Sequence, residues 1–296
     1  MAYRIRRKDS KAQASLRRIA RDQVQAAIRS IDAAAVDRAE AIHDVRKRIK
    51  KIRGLLRLVR PGFEDYRTEN AAFRGIAAPL GPQRDAGVRL ETFDDVVATS
   101  TTRSNDWAPV RQELARQRQA IATAHDPEDL LNETRGTLRD ALVRIDTWRL
   151  AEDGFDAFGT GLKSSYRRAR KAMRAACDKA DDDAFHDWRK RTKDHAFHLR
   201  LLQPIWPGPM RATQACAAAL GEVLGQHHDL AVLAAHVRAM ADVPSDAAAA
   251  LETAIGARQR TLATRAGALG APLYADPPRA LAKSWRRRYI AWQSAD

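Results

Sequence analysis

The sequence is poor in the residues that build sheets, staples and membrane spans. Cys177 and Cys216 are its only cysteines. Two cysteines cannot make a disulfide framework, and their spacing matches no metal-ligand pattern. Two buried thiols in a reducing cytoplasm are expected. Aromatic residues make up 6% of the chain and β-branched residues are scarce, which argues against strands. No window approaches 18 uncharged apolar residues, so no helix is expected to span a bilayer. The opening "MAYRIRRKDSKAQASLRR" has no apolar h-region, so a signal peptide is not expected and a cytoplasmic location is.

Ala, Leu, Arg, Glu and Gln abound instead and favour helices nearly throughout. With 296 residues the chain can form one large domain or two of ordinary size. Its 52 basic residues outnumber 37 acidic ones, a formal charge of +15. Charge of that size implies attraction to polyanions: nucleic acid, an anionic membrane or polyphosphate.

The positive charge is patterned by a repeat. "HDVRKRIKKIRGLLRLVRP" (43–61) aligns without a gap on "HDWRKRTKDHAFHLRLLQP" (186–204). His, Asp, Arg, Lys, Arg and Lys recur at 43/186, 44/187, 46/189, 47/190, 48/191 and 50/193. One helix later "PLGPQRD" (79–85) matches "VLGQHHD" (223–229). A tandem duplication is therefore expected, with its seam near 147–161. Domain boundaries follow: a basic tail over 1–9, a first half over 10–150 and a second over 151–296.

Apolar stepping and turn punctuation predict helices near 10–30, 37–60, 64–78, 84–98, 107–124 and 128–149. In the second half they fall near 154–177, 182–203, 209–225, 228–241, 246–268 and 278–292. Breaks are expected at Pro61-Gly62, Gly81-Pro82, the polar run 98–106, Pro204 to Pro209, and Pro277-Pro278. The predicted fold is all-α: two helical bundles related by a pseudo-twofold axis.

Val45, Ile49, Ile52, Leu56 and Val59 step by four and three, a core seam on one helix face. His43, Lys47, Lys50 and Arg57 follow the same stepping about 200° away, a basic ridge opposite that seam. Arg46, Arg53 and Arg60 widen it. The ridge has almost no acid to pair with, and like charges three and four apart repel. The second copy keeps the basic residues while Ile49 becomes Thr192 and Ile52 becomes His195. That favours binding over a solvated face. Arg forks and Lys ammoniums suit phosphate oxygens, and the ridge has no Asn, Gln or aromatic platform for reading bases.

These residues resemble the CHAD family, the conserved histidine α-helical domain, whose signature sets Arg and Lys at helical spacing behind a histidine, once per half. The resemblance rests on His43, Arg46, Lys47, Lys50 and Arg53, then Arg84 and Asp85. Its second copy is His186, Arg189, Lys190 and Lys193, then His228 and Asp229. The likeness covers about 10–292. It implies two four-helix bundles with a shared basic cavity or groove, binding of inorganic polyphosphate, and association with polyphosphate granules or polyphosphate-metabolising enzymes.

The expected site thus comprises His43, Arg46, Lys47, Lys50, Arg53, Arg57, Arg84, His186, Arg189, Lys190, Lys193, Arg200 and His228. Arg17, Arg18, Arg21, Tyr166, Arg170 and Lys171 are weaker candidates for its walls. Ala196 replaces the arginine expected opposite Arg53, Asp194 stands where Lys51 does, and His228 replaces Arg84. The second half is therefore expected to bind more weakly.

Other chemistries find less support. The densest histidines, His195 with His198 and His227 with His228, lack a familiar zinc spacing. "GTGLKSS" (159–165) lacks the adjacent G-K-[ST] of a phosphate loop. Cleaving polyphosphate calls for metals held by carboxylates, and none are paired on the ridge. No cofactor and no enzymatic activity are expected. Trp285, Tyr289 and Trp292 step as the core stripe of a last helix. Nucleic acid remains the alternative ligand of the same surface.

Overall fold

The computed structural model describes residues 3–9, 11–34, 37–100, 107–124, 126–240 and 244–295. Residues 101–106, within the polar run read as a break, lie outside the described residues. Among the described residues there are helices, turns and no strand. The helices are α1 (Ala12–Asp32), α2 (Arg38–Val59), α3 (Tyr66–Ala77), α4 (Gly81–Thr99), α5 (Ala108–Ala124) and α6 (Pro127–Ile145). They are followed by α7 (Asp156–Lys179), α8 (Asp182–Leu202), α9 (Pro207–Arg238), α10 (Ser245–Leu273) and α11 (Pro278–Ser294).

The two repeated segments become α2 and α8, and both begin and end alike. Asp37 caps α2 by accepting from the Glu40 amide at 2.9 Å, and Asp181 caps α8 by accepting from the Ala184 amide at 2.7 Å. Acids sit in the first turn and Arg57 or Arg200 in the last, as the helix dipole prefers. Each runs into a single 3₁₀ turn holding its proline, Arg60–Gly62 with Pro61 and Gln203–Ile205 with Pro204.

The copies then diverge. A break was expected between residues 225 and 228, but α9 runs unbroken through it from Pro207 to Arg238. Its counterpart is split into α3 and α4. Pro79 and Pro82 interrupt the amide ladder there, whereas Val223 and Gln226 occupy the matching places and let it continue.

α1 lies on α2 and α6, α7 on α8 and α11, α4 on α5, and α9 on α10. In addition, α2 meets α7 and α8, and α4 meets α9. One continuous hydrophobic core runs from Tyr3 to Trp285. The first residues join it, since Tyr3 and Ile5 are buried and the Ile5 amide donates to the Leu201 carbonyl at 3.1 Å. Trp285 is buried, and Tyr289 and Trp292 pack against the same core.

All five residues of the α2 seam are buried, but so are Gly54, Leu55 and Leu58 on other faces. The C-terminal half of α2 is therefore enclosed. Two glycines permit this. A Cβ on Gly54 would sit 2.9 Å from the Phe197 ring of α8, and one on Gly161 of α7 would sit 1.7 Å from the Leu58 carbonyl oxygen. The α2–α8 crossing at Gly54 and Phe197 cuts the basic ridge in two.

The cysteines correct an expectation. Cys177 and Cys216 are both exposed, on α7 and α9. Ala176 and Ala217, their neighbours in sequence, occupy the inward positions instead. No helix among the described residues is long and apolar enough to cross a membrane.

Candidate functional site

On the N-terminal side of the crossing, α2 and α8 bring their first basic turns together, and α4 and α9 add the residues of the Leu-Gly motif. His43, Arg46, Lys50 and Arg84 come from the first copy, and His186, Arg189, Lys193 and His228 from the second. Electrostatic neighbours identify the gathering. Lys50 feels Arg46, Arg84 and Arg189; Lys193 feels Arg189 and Lys50; His43 feels Arg84. Asp85 and Asp229 face the same cations. Arg46 reaches the Asp85 carboxylate and the Ala77 carbonyl, both at 3.4 Å.

Lys50 is open to water, yet protein surrounds enough of it to lower its pKa. The basic cluster around it is thus partly enclosed, an open recess between α2, α4, α8 and α9. Lys193 is half-buried, and desolvation, then Arg189 and Lys50, lowers it to about 8. Burial likewise lowers His43, with Arg84 adding to it, and His186, with Lys190 and Arg189 adding. His228 falls to about 4 through burial, then Arg189 and His186. Asp229 moves the other way because burial outweighs its cationic neighbours. Five basic side chains, Arg46, Lys50, Arg84, Arg189 and Lys193, thus share a partly desolvated space with two carboxylates. A bound anion would relieve that repulsion.

The remaining candidates are placed elsewhere. Arg57 ion-pairs with buried Asp194 at 2.7 Å, so the acid that departs from the repeat ties the copies together. Arg53 donates to Asn70 at 3.1 Å, and Arg200 is exposed beside Lys51 and Tyr3. Lys47 is exposed at the rim near His43, and Lys190 pairs with Asp187 at 3.4 Å.

Of the weaker candidates, Arg17 donates to the Trp148 carbonyl at 2.8 Å, Arg18 to Asp9 at 2.8 Å, and Arg21 pairs with Asp146. Arg17 and Arg21 brace α1 against the residues that follow α6, and Arg18 ties it to the N-terminal tail. Tyr166 corrects the expectation that it joins a wall: it is fully buried, its hydroxyl donating to the Leu273 carbonyl at 3.2 Å. Arg170 lies beside it, and Lys171 is exposed.

Three further histidines, His195, His198 and His227, are core groups. His198 Nε2 lies 3.0 Å from the Gly54 carbonyl, His195 packs edge-on to Tyr166, and His227 stacks on Phe185. Among the described residues no group of His, Cys, Asp and Glu is arranged to hold a metal. A hollow of about 340 Å³ between α3 and α6, lined by Ile76, Pro79, Leu130, Thr134 and Arg144, shares no residue with the recess. Sequence reasoning missed Lys51, Arg168 and Arg191. The last is identical to Arg48, so the repeat itself was a signal.

Fold and site together define an all-helical protein in which Arg46, Lys50, Arg84, Arg189 and Lys193 gather into one basic cluster. The chain belongs to the CHAD domain family, whose profile matches residues 11–238. Two uncharacterized proteins of Mycobacterium tuberculosis, MT2285 and Rv2226, are 29% identical to it over 224 residues. The match covers 69% of this chain, which spans about two fifths (41%) of those relatives. The fold is similar to PptA from Streptomyces chartreusis, with a TM-score of 0.64 at 12% identity, covering 90% of this chain and 100% of that one. It is also similar to the CHAD domain from the plant Ricinus communis, with a TM-score of 0.54 at 18% identity, covering 88% and 90%.

Proposed function

We propose that this protein binds inorganic polyphosphate without cleaving it, through the recess shared by α2, α4, α8 and α9. The observation that carries the reading is convergence. Two motif copies 143 residues apart in sequence deliver His, Arg and Lys to one space. A linear anion with charge on every unit can satisfy many of these cations at once, and a single phosphate cannot. Membership in the CHAD family agrees with this ligand. On this reading, residues 10–150 and 151–296 act as two copies about a pseudo-twofold axis, and the protein resides at polyphosphate granules.

The gathered groups are imidazole, ammonium and guanidinium, with the carboxylates of Asp85 and Asp229 among them. Stacking platforms of phenyl, phenol or indole are not among them, which favours polyphosphate over RNA or DNA. Long chains bind more tightly than short ones, because further units engage the rim and the second copy. Affinity falls steeply with salt as condensed counterions are released.

The test is a competition titration of labelled long-chain polyphosphate against single-stranded RNA and duplex DNA at equal phosphate concentration. Polyphosphate is expected to win at physiological salt, and preference for RNA or DNA would sink the reading. Charge reversal of Lys50 and Lys193 should abolish binding with helicity intact. Chain length after incubation with magnesium or manganese should be unchanged.

A further inference from the structure

Beyond the α2–α8 crossing lies a second concentration of positive charge, and its cations are all arginine. Arg53 and Arg57 of α2, Arg168 of α7 and Arg191 of α8 surround the buried carboxylate of Asp194. Arg74 of α3 lies beside Arg53, and Arg60 lies beside Arg168. Arg57 is the one bonded to Asp194, at 2.7 Å. Arg191 bonds Asp187 at 3.2 Å. Among the described residues, Arg53, Arg60, Arg74 and Arg168 pair with no carboxylate.

Folding alone does not account for this set. One arginine satisfies Asp194, and each further guanidinium adds desolvation and mutual repulsion. Arg53 and Arg168 both feel that penalty, first from burial and then from neighbouring arginines. The Arg168 Nε is buried without a hydrogen-bond partner. Arg60 is held over the Tyr66 ring at 4.9 Å, and Arg53 Nε is aligned by Asn70. Several forks are therefore held in position with donor capacity unused.

The chemistry of the two recesses differs. Interior units of a phosphate chain carry about one charge each, which suits the mixed His, Lys and Arg recess. A terminal phosphoryl group approaches two charges at neutral pH and offers three equivalent oxygens. Guanidinium forks recognise that group best, because paired N–H donors match paired oxygens. We infer that the arginine recess binds the doubly charged terminal phosphoryl group of a phosphate chain, whether the end of a long polyphosphate or free pyrophosphate. The long-chain source rests on the function proposed above; the recognition of a chain end does not.

Isothermal titration with linear tripolyphosphate, cyclic trimetaphosphate and pyrophosphate tests this, because the cyclic compound has no ends. The parent should prefer the linear compound over the cyclic one by about tenfold or more, the worth of one charge-assisted hydrogen bond. R53Q/R168Q should lose that preference and bind pyrophosphate equally poorly. K50Q/K193Q, in the other recess, should keep the preference. Equal affinity of the parent for linear and cyclic compounds overturns the inference. So does a preference that survives R53Q/R168Q. Should that variant melt early, R60Q/R74Q alters two exposed members of the cluster and is read the same way. Long-chain polyphosphate is titrated in parallel. If K50Q/K193Q binds it like the parent, the proposed function fails, while the linear-to-cyclic ratio still decides the chain-end site.

Discussion

His186 and His228 meet with their rings tilted by 33°, Nδ1 of one 3.0 Å from Nδ1 of the other and ring centroids 4.1 Å apart. One ring must donate and the other accept, so the pair is neutral or holds a single extra proton. In the first copy the matching residue is Arg84, a permanent cation. The second copy must acquire its charge from solvent.

Binding should therefore be proton-linked. The groups facing the pair are Asp183, Asp187, Arg189, Lys190 and Lys193 on α8, with His227 on α9. In the free protein burial and these cations hold His228 near pKa 4. A bound polyanion raises that value, so affinity should increase as pH falls from 7.5 toward 5 and protons should be taken up on binding. H228R supplies the charge permanently. It should tighten binding at pH 7.5 by about tenfold, the equivalent of one pKa unit, and flatten the pH profile. Calorimetry in buffers of different ionisation enthalpy reads both, and an unchanged profile would refute the role.

Lys193 should trade stability for binding. Its pKa is about 8 in the folded chain and near 10.5 when unfolded, so below pH 8 it is protonated in both states and the full penalty acts. Between about pH 8 and 10.5 the unfolded chain holds the extra proton, and stability gains as pH rises. K193M should raise the melting point of the ligand-free protein at pH 7, with a gain on the order of 1 kcal/mol after solvent screening, and weaken polyphosphate binding. Loss of both stability and binding would contradict this assignment.

Much of this was legible in the sequence because the repeat carried it. The α2 seam, the paired ends of α2 and α8 and the all-helical class follow from local periodicity and punctuation. What periodicity could not show was the crossing. A helical wheel puts His43 and Arg57 on one face, but Gly54 lies between them and admits Phe197 of α8. The single ridge becomes two recesses, and Asp194, read as a weakened binding position, instead bonds Arg57. Tyr166 and Cys177 were misplaced because α7 faces α2, α8 and α11 together, and one sequence does not say which of its faces stays open.

Acid should unfold the protein through two core imidazoles. Burial lowers His195 to about 3, with His198 adding to it, and lowers His198 to about 4 against the opposing bond to the Gly54 carbonyl. Both are neutral when folded at pH 5, whereas the unfolded chain protonates them below about 6.5. Their contribution is present above pH 6.5 and is lost as pH falls toward 4 and 3, a total on the order of several kcal/mol. Urea denaturation at pH 7 and pH 5 should show the fall, and H195F should reduce its slope. An equal slope in H195F would place the acid sensitivity elsewhere.

Gly161 decides whether α7 can close on α2. Its α-carbon lies so near the Leu58 carbonyl that an added Cβ would sit 1.7 Å from the oxygen, and that neighbour is backbone. No rotamer change can relieve the overlap, so α7 must move away from α2. That shift opens the core beside Leu58 and displaces Arg168 from Asp194. G161A should therefore cost about 3 kcal/mol or more, above the usual range for overpacking. Gly75, where an added Cβ meets nothing within 4 Å, is the matched control, and G75A should be neutral or stabilising by up to about 1 kcal/mol. Chemical denaturation of the two variants side by side gives the comparison, and similar midpoints would mean that α2 and α7 do not approach as closely as this.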